Sequence, residues 1–154
     1  PKVFDADALN NLTAEEIRRK EKLVITPHPK EFSRLFGIPM KEVLADPVSS
    51  AKTAAKEYGI VILLKGAASV ITDGNEVYLV GAGSPAMAKG GSGDVLAGML
   101  AGAVHKYESA ADAAKSICLI HSLAGDFAAA DVGKVSMSPC DIIENIPSAI
   151  KILK

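Results

Sequence analysis

The stretch that most restricts the fold is "IVILLKG", residues 60–66. Ile60 through Leu64 leave no polar face for water, so a strand built from them must be covered on both sides. That requirement calls for helices on two faces of a sheet, and the rest of the chain offers them. "KLVITP" is a second apolar, β-branched run, stopped by Pro27, and "KVF" is a short strand near the start. "DADALNNL" turns out of that first strand. Thr13 and Glu16 form a capping box that opens a short charged helix over "TAEEIRRKEK". "HPKEFSRLFG" reads as a helix with Pro29 in its first turn and Gly37 just past its end. "IPMKEVLA" is a short helical turn. "DPVSSAKTAAKEYG" places Asp46 at the N-cap, Pro47 at the first helical position and Gly59 at the stop.

"ASVITDGNEVYLV" reads as two strands about a "DGN" turn. A helix follows from about Gly93 to Lys106, then the long alanine-rich "SAADAAKSICLIHSLAGDFAAAD". The last helix, "SPCDIIENIPSAIKIL", has Ser138 as N-cap and Pro139 at its first position. Strands alternate with helices through two-thirds of the chain, and helices dominate the end. The order predicts an α/β fold, a mostly parallel sheet with helices on both faces, forming one domain over residues 1–154 or a piece of one.

Composition removes several function classes. With 49% apolar and 23% charged residues, the 154-residue chain can build its own core. A formal net charge of −1 gives no footprint for nucleic acid. No apolar run reaches membrane-spanning length, and no stretch of these residues reads as a secretory signal. Cys118 and Cys140 are not in metal-ligand spacing and point to a reducing, cytoplasmic setting. The chain begins directly at a strand, which leads us to expect that it is part of something longer.

Residues 81–94, "GAGSPAMAKGGSGD", carry five glycines before Asp94 and lead into a helix. Glycines let backbone approach a ligand and take positive φ. A helix N-terminus adds free N–H groups and the positive end of a dipole, so the pair makes an anion site. The amides of Gly90, Gly91, Ser92 and Gly93 are the expected anion hole. Asp94 would be repelled by a bound phosphate unless it takes a proton from an attacking hydroxyl as a phosphoryl group moves. The plainer alternative is a carboxylate that offsets the helix dipole. The spacing fits neither the P-loop nor the dinucleotide fingerprint. In the same helix Val95, Leu96, Met99, Leu100 and Val104 form an apolar stripe, while Ala97, Gly98, Ala101 and Gly102 are expected to let it lie close against a neighbour.

Two more clusters follow strands. "TPHPKE" places His28 and Glu31 at a strand's C-terminal edge, where open α/β sheets bind ligands. His28 could donate to a substrate, and Glu31 could hold a water on a magnesium ion; the alternative is a proline-stiffened connection with a surface histidine. "LLKGAAS" ends the most apolar strand with Lys65 and Gly66, which either meet a nucleotide phosphate or end the strand in solvent. His105 and His121 lie on helices and are not expected to be catalytic, and Cys118 is expected in the core.

"DADALN", "VITPHPKEFSRLFG", "VILLKGAASVI" and "GSPAMAKGGSGDVLAGMLAG" together resemble, in order and spacing, the ADP/ATP-dependent NAD(P)H-hydrate dehydratases of the ribokinase-like superfamily. The resemblance implies a ribokinase-like three-layer sandwich, of which this chain matches the C-terminal part of the catalytic domain. It implies repair of NAD(P)H hydrate: the ring hydroxyl of the S epimer is phosphorylated by ADP or ATP, with Mg2+, and phosphate then leaves. By the same likeness Asp94 takes the hydroxyl proton, and His28 and Asp94 contact the hydrated nucleotide. Lys65, Gly66, Ala67, Ala68, Ser69 and Gly93 contact the adenine nucleotide, and Glu31 matches a glutamate used near magnesium. An asparagine usually stands at His28 in related kinases, so the histidine favours the dehydratase branch. The family often has glycine where this chain has Lys30. The N-terminal part of the family's domain has no counterpart here, so the chain is expected to need that part, or an oligomer of itself, and to be inactive alone. Two other readings stay open: another ribokinase-like kinase acting on a vitamin-precursor alcohol, and a non-catalytic nucleotide-binding domain.

Overall fold

The computed structural model describes residues 1–19 and 22–153. Five strands, β1 (Lys2–Phe4), β2 (Leu23–Ile25), β3 (Val61–Leu64), β4 (Ser69–Thr72) and β5 (Val77–Val80), form one sheet in sequential order. β3 lies at its centre, and all four of its residues are buried. β1, β2 and β3 run parallel. β4 and β5 return as antiparallel neighbours. The sheet is therefore mixed: the crossover strands supply the parallel pairings, and the "DGN" hairpin supplies the antiparallel ones. In that turn Asp73 Oδ1 accepts from the N–H groups of Asn75 (2.8 Å) and Glu76 (3.0 Å).

Eight helices surround the sheet among the described residues: α1 (Asp7–Asn10), α2 (Ala14–Ile17), α3 (Pro29–Phe36), α4 (Met40–Ala45), α5 (Pro47–Tyr58), α6 (Ser92–Ala103), α7 (Ala110–Val132) and α8 (Pro139–Ile152). The period-2 alternation of the strands sorts their side chains into two cores. Leu23, Ile25, Ile62, Leu64 and Val70 pack with Leu9, Ile17, Phe32, Val43 and Ala55 from the first five helices. Val24, Val61, Leu63 and Ile71 pack with Leu96, Leu100, Ala114 and Cys118 of α6 and α7. Each fully buried side chain of this size contributes roughly 1.5–3 kcal/mol. The three-layer expectation holds. α8 lies against α7 through a third cluster that includes Ala124, Ala128, Met137 and Ile142. No described helix is long and apolar enough to cross a membrane.

Local chemistry explains most boundaries. Asp46 accepts from Ser49 N–H, and Pro47 stands at the first position of α5. Ser138 and Asp141 form a capping box that starts α8 at Pro139. The Thr13 capping box is present, but α2 ends at Ile17, because Arg18 turns back to Glu15 and Glu57 and stacks over Tyr58. The Lys20 and Glu21 portion of the expected charged helix lies outside the described residues. "DADALNNL" contains the short helix α1 rather than a turn alone. One packing expectation fails. A Cβ added to Gly98 or Gly102 would meet nothing within 4 Å, so the small-residue face of α6 does not pack against a described neighbour.

Candidate functional site

Parallel pairing brings the C-terminal ends of β1, β2 and β3 to one edge of the sheet. Two backbone bonds tie those ends together: Thr26 N–H donates to Phe4 O (3.1 Å), and Lys65 N–H donates to Pro27 O (2.9 Å). The residue after β1, Asp5, accepts from Lys65 Nζ at 2.8 Å. Their side chains are 10% and 24% exposed, so this pair is shielded enough to hold its geometry. A Cβ placed on Gly93 would stand 3.5 Å from Lys65 Nζ and 3.7 Å from Asp5 Oδ2. The first turn of α6 therefore rests directly against the ammonium that ends β3.

His28 lies one residue beyond Pro27 and caps α3. Glu31 N–H donates to His28 Nδ1 (3.2 Å), and His28 N–H donates to Glu31 Oε2 (2.8 Å). Because Nδ1 accepts there, the neutral ring carries its proton on Nε2. The ring is 48% exposed, while Glu31 is 8% exposed. Glu31 Oε1 lies 3.4 Å from His28 Nε2, so both carboxylate oxygens face its own cap. The described residues contain no group of three or more His, Cys, Asp or Glu able to hold a metal ion. Mg2+ is commonly held by one or two carboxylates together with substrate phosphates and waters, and the side chains here form no complete cage for it.

The glycine loop runs from Gly81 into α6. Gly83 N–H donates to Asp126 Oδ2 of α7 (3.0 Å), and a 3-10 turn covers Pro85–Met87. Gly91 is the N-cap of α6 at φ +94°, and a Cβ there would meet Pro139 Cγ at 2.8 Å. No side chain caps α6. Ser92 N–H donates to Lys89 O at a long 3.3 Å. The N–H groups of Gly90, Gly91, Gly93 and Asp94 have no acceptor among the described residues, so they are open to an acceptor from outside the chain. Ser92 Oγ is the one buried side-chain polar atom there without a partner. Asp94 is exposed in the first turn, close to where the dipole is positive. Gly66, Ala67 and Ala68 are exposed, and Ser69 opens β4.

Two residues that sequence reasoning passed over belong to this edge. Asp5 ends a strand exactly as Lys65 does, and the strand-end rule applied to His28 would have found it. His121, buried on α7, places Nε2 3.0 Å from Ser92 O and supports the first turn of α6 from below. Burial, together with the Lys65 charge, lowers its pKa, so it stands neutral and donates from Nε2; the Ser92 carbonyl opposes that shift. Neither of two cavities, about 310 and 370 Å3 in volume, includes a residue of this edge.

The chain's residues 1–148 match the family model described as NAD(P)H-hydrate dehydratase. It is 41% identical over 147 residues to the bifunctional NAD(P)H-hydrate repair enzyme Nnr of Coxiella burnetii, covering 95% of this chain and 30% of that protein. It is 40% identical over 148 residues to the ADP-dependent (S)-NAD(P)H-hydrate dehydratase of Cenarchaeum symbiosum, covering 96% and 51%. The ADP/ATP-dependent NAD(P)H-hydrate dehydratase of Bacillus subtilis, co-crystallised with ATP/Mg2+ and soaked with CoA, superposes with a TM-score of 0.90. That match has 29% identity and covers 100% of this chain and 57% of the other. The chain thus spans about a third to a little over half the length of these relatives.

Proposed function

The chain belongs to the NAD(P)H-hydrate dehydratase family, and from that premise we propose that residues 1–154 form the phosphoryl-holding part of a ribokinase-like catalytic unit. The unit restores NAD(P)H from the S epimer of its hydrate, with ADP or ATP as phosphoryl donor. The observation that carries the reading is the seat of Gly93 against the Lys65–Asp5 pair. Gly93, among the open amides, stands beside the Lys65 ammonium, and donors of both kinds so close together suit a transferring phosphoryl group.

In this reading Asp94 takes the proton of the ring hydroxyl. The hydroxyl oxygen forms a bond to the terminal phosphorus as the bond to the nucleotide breaks. The amides of Gly91, Gly93 and Asp94 stabilise the charge on the equatorial oxygens. The ring nitrogen lone pair then expels phosphate, and loss of a proton from the adjacent ring carbon restores the double bond. Phosphate leaves far more readily than hydroxide, which is what the nucleotide contributes. His28 presents Nε2–H toward the hydrated nucleotide, and Lys65 to Ser69 line the adenine nucleotide. Asp5 holds Lys65, and His121 holds the first turn of α6. Mg2+ enters this reading with the nucleotide, not through a cage of side chains. The remaining substrate contacts are assigned to the portion of the relatives' length that this chain does not span.

Product analysis tests the reading. The protein containing this chain is mixed with NADH hydrate and ADP, then ATP. We expect the near-ultraviolet absorbance of reduced nicotinamide to return with equimolar phosphate. A stable phosphorylated alcohol would identify a kinase instead, and nucleotide binding without turnover would identify a binding domain.

A further inference from the structure

Lys89 sits between the 3-10 turn and the first turn of α6, and its side chain leaves the loop altogether. Its Nζ donates to Val135 O (2.8 Å), Met137 O (2.8 Å) and, at 3.4 Å, Lys134 O. These three carbonyls belong to the connection between α7 and α8. An ammonium carries three N–H donors that radiate from one point, which matches three converging carbonyls better than a planar guanidinium does. The backbone of Lys89 is engaged at the same time: its carbonyl accepts from Ser92, and its N–H donates to Met87 O (2.8 Å).

Two residues further on, Gly91 packs against Pro139, the first residue of α8. Gly90, exposed and without close neighbours, bridges these two anchor points. Met137, beside the carbonyl cage, is 2% exposed and belongs to the α7–α8 cluster, so the cage rests on a packed base. The direction of the open amides at Gly90–Asp94 is thus set from the far side by the start of α8, through one charged group and one glycine contact.

We propose that Lys89 is a positioning residue: its ammonium, clamped by the carbonyls of Lys134, Val135 and Met137, holds the glycine loop so that the α6 amides converge on one anion. The idea rests on the phosphoryl-holding reading above. Lys89 itself does not touch the phosphate; it acts by tying two loops together.

The test uses Lys89→Met and Lys89→Ala in the protein containing this chain. Lys89→Met keeps the stem and removes the donors, and the exposed Lys134 and Val135 carbonyls then turn to water, so the fold is retained. ADP affinity is expected to fall about tenfold, because the released loop must be ordered again on binding, with the fold retained and the melting temperature lowered by only a few degrees for the lost hydrogen bonds. Added ethylammonium is expected to restore part of that affinity to Lys89→Ala, which a purely structural residue would not allow. In nucleotide-free protein, the amide resonances of Gly91, Gly93 and residues 134–137 are expected to shift together in Lys89→Met. Unchanged ADP affinity and unmoved amides overturn the clamp. Wild-type protein that fails to bind ADP overturns the functional reading instead, and the amide shifts still decide the clamp.

Discussion

Lys65 at the end of β3 donates to Asp5 at the end of β1 across 2.8 Å, sixty positions away in sequence. The pair is the floor on which Gly93 and the α6 amides sit. In the proposed reading it joins two strand ends and one helix start into a single site.

Asp5→Asn should keep the fold and loosen the floor. Losing one charge of a largely shielded pair is expected to cost about 1–2 kcal/mol. Urea titration would read that loss, and ADP titration should show weaker binding as Lys65 leaves its place beside Gly93. Unaltered binding would separate Asp5 from the site.

Gly91 and Gly90 should part company. Gly91→Ala meets both a left-handed φ of +94° and Pro139 Cγ, whereas Gly90→Ala meets open space. The left-handed conformation alone is expected to cost about 1–2 kcal/mol, and the displaced loop should lose ADP. Gly90→Ala should fold normally. Equal stabilities in a thermal melt would contradict the role given to Gly91.

The lowered pKa of His121 makes stability pH-dependent with a defined sign. In the unfolded chain the ring gains a proton below about pH 6.5; in the folded chain it resists that proton down to a lower pH. The unfolded state therefore binds more protons in that window, and stability falls with acidification. His121→Gln retains a donor for Ser92 O and removes the titration. Denaturant unfolding at neutral pH and near pH 5 should show a smaller acid loss in the variant, and parallel losses would contradict the assignment.

Asp94→Asn should leave ADP binding intact, since the carboxylate has no hydrogen-bond or ion-pair partner among the described residues. Turnover should fall about 10²–10⁴-fold, the usual contribution of a general base. Single-turnover phosphate release checks it; an unchanged rate would reduce Asp94 to a dipole-balancing residue.

Much of this was legible in the chain. "IVILLKG" announced a strand covered on both faces, and Ile62 and Leu63 do face opposite cores. Asp46, Ser138 and Gly59 marked helix ends because capping is local chemistry. What was illegible is what depends on distant partners. His121 reads as one more polar residue on a mixed helix face until Ser92 O is placed 3.0 Å from it. The Lys89 cage is made of backbone carbonyls, which no side-chain pattern announces. The open face at Gly98 and Gly102 was misread because small residues permit close packing without requiring it. The strand-end position suggests Glu31 for a magnesium-bound water, but only the fold shows that both its oxygens also face the His28 cap.

The most direct measurement is a crystal structure of the protein containing this chain with ADP bound. The account predicts the terminal phosphate within hydrogen-bond reach of the amides of Gly91, Gly93 and Asp94, with Lys65 alongside. A terminal phosphate lodged away from the first turn of α6 would contradict it.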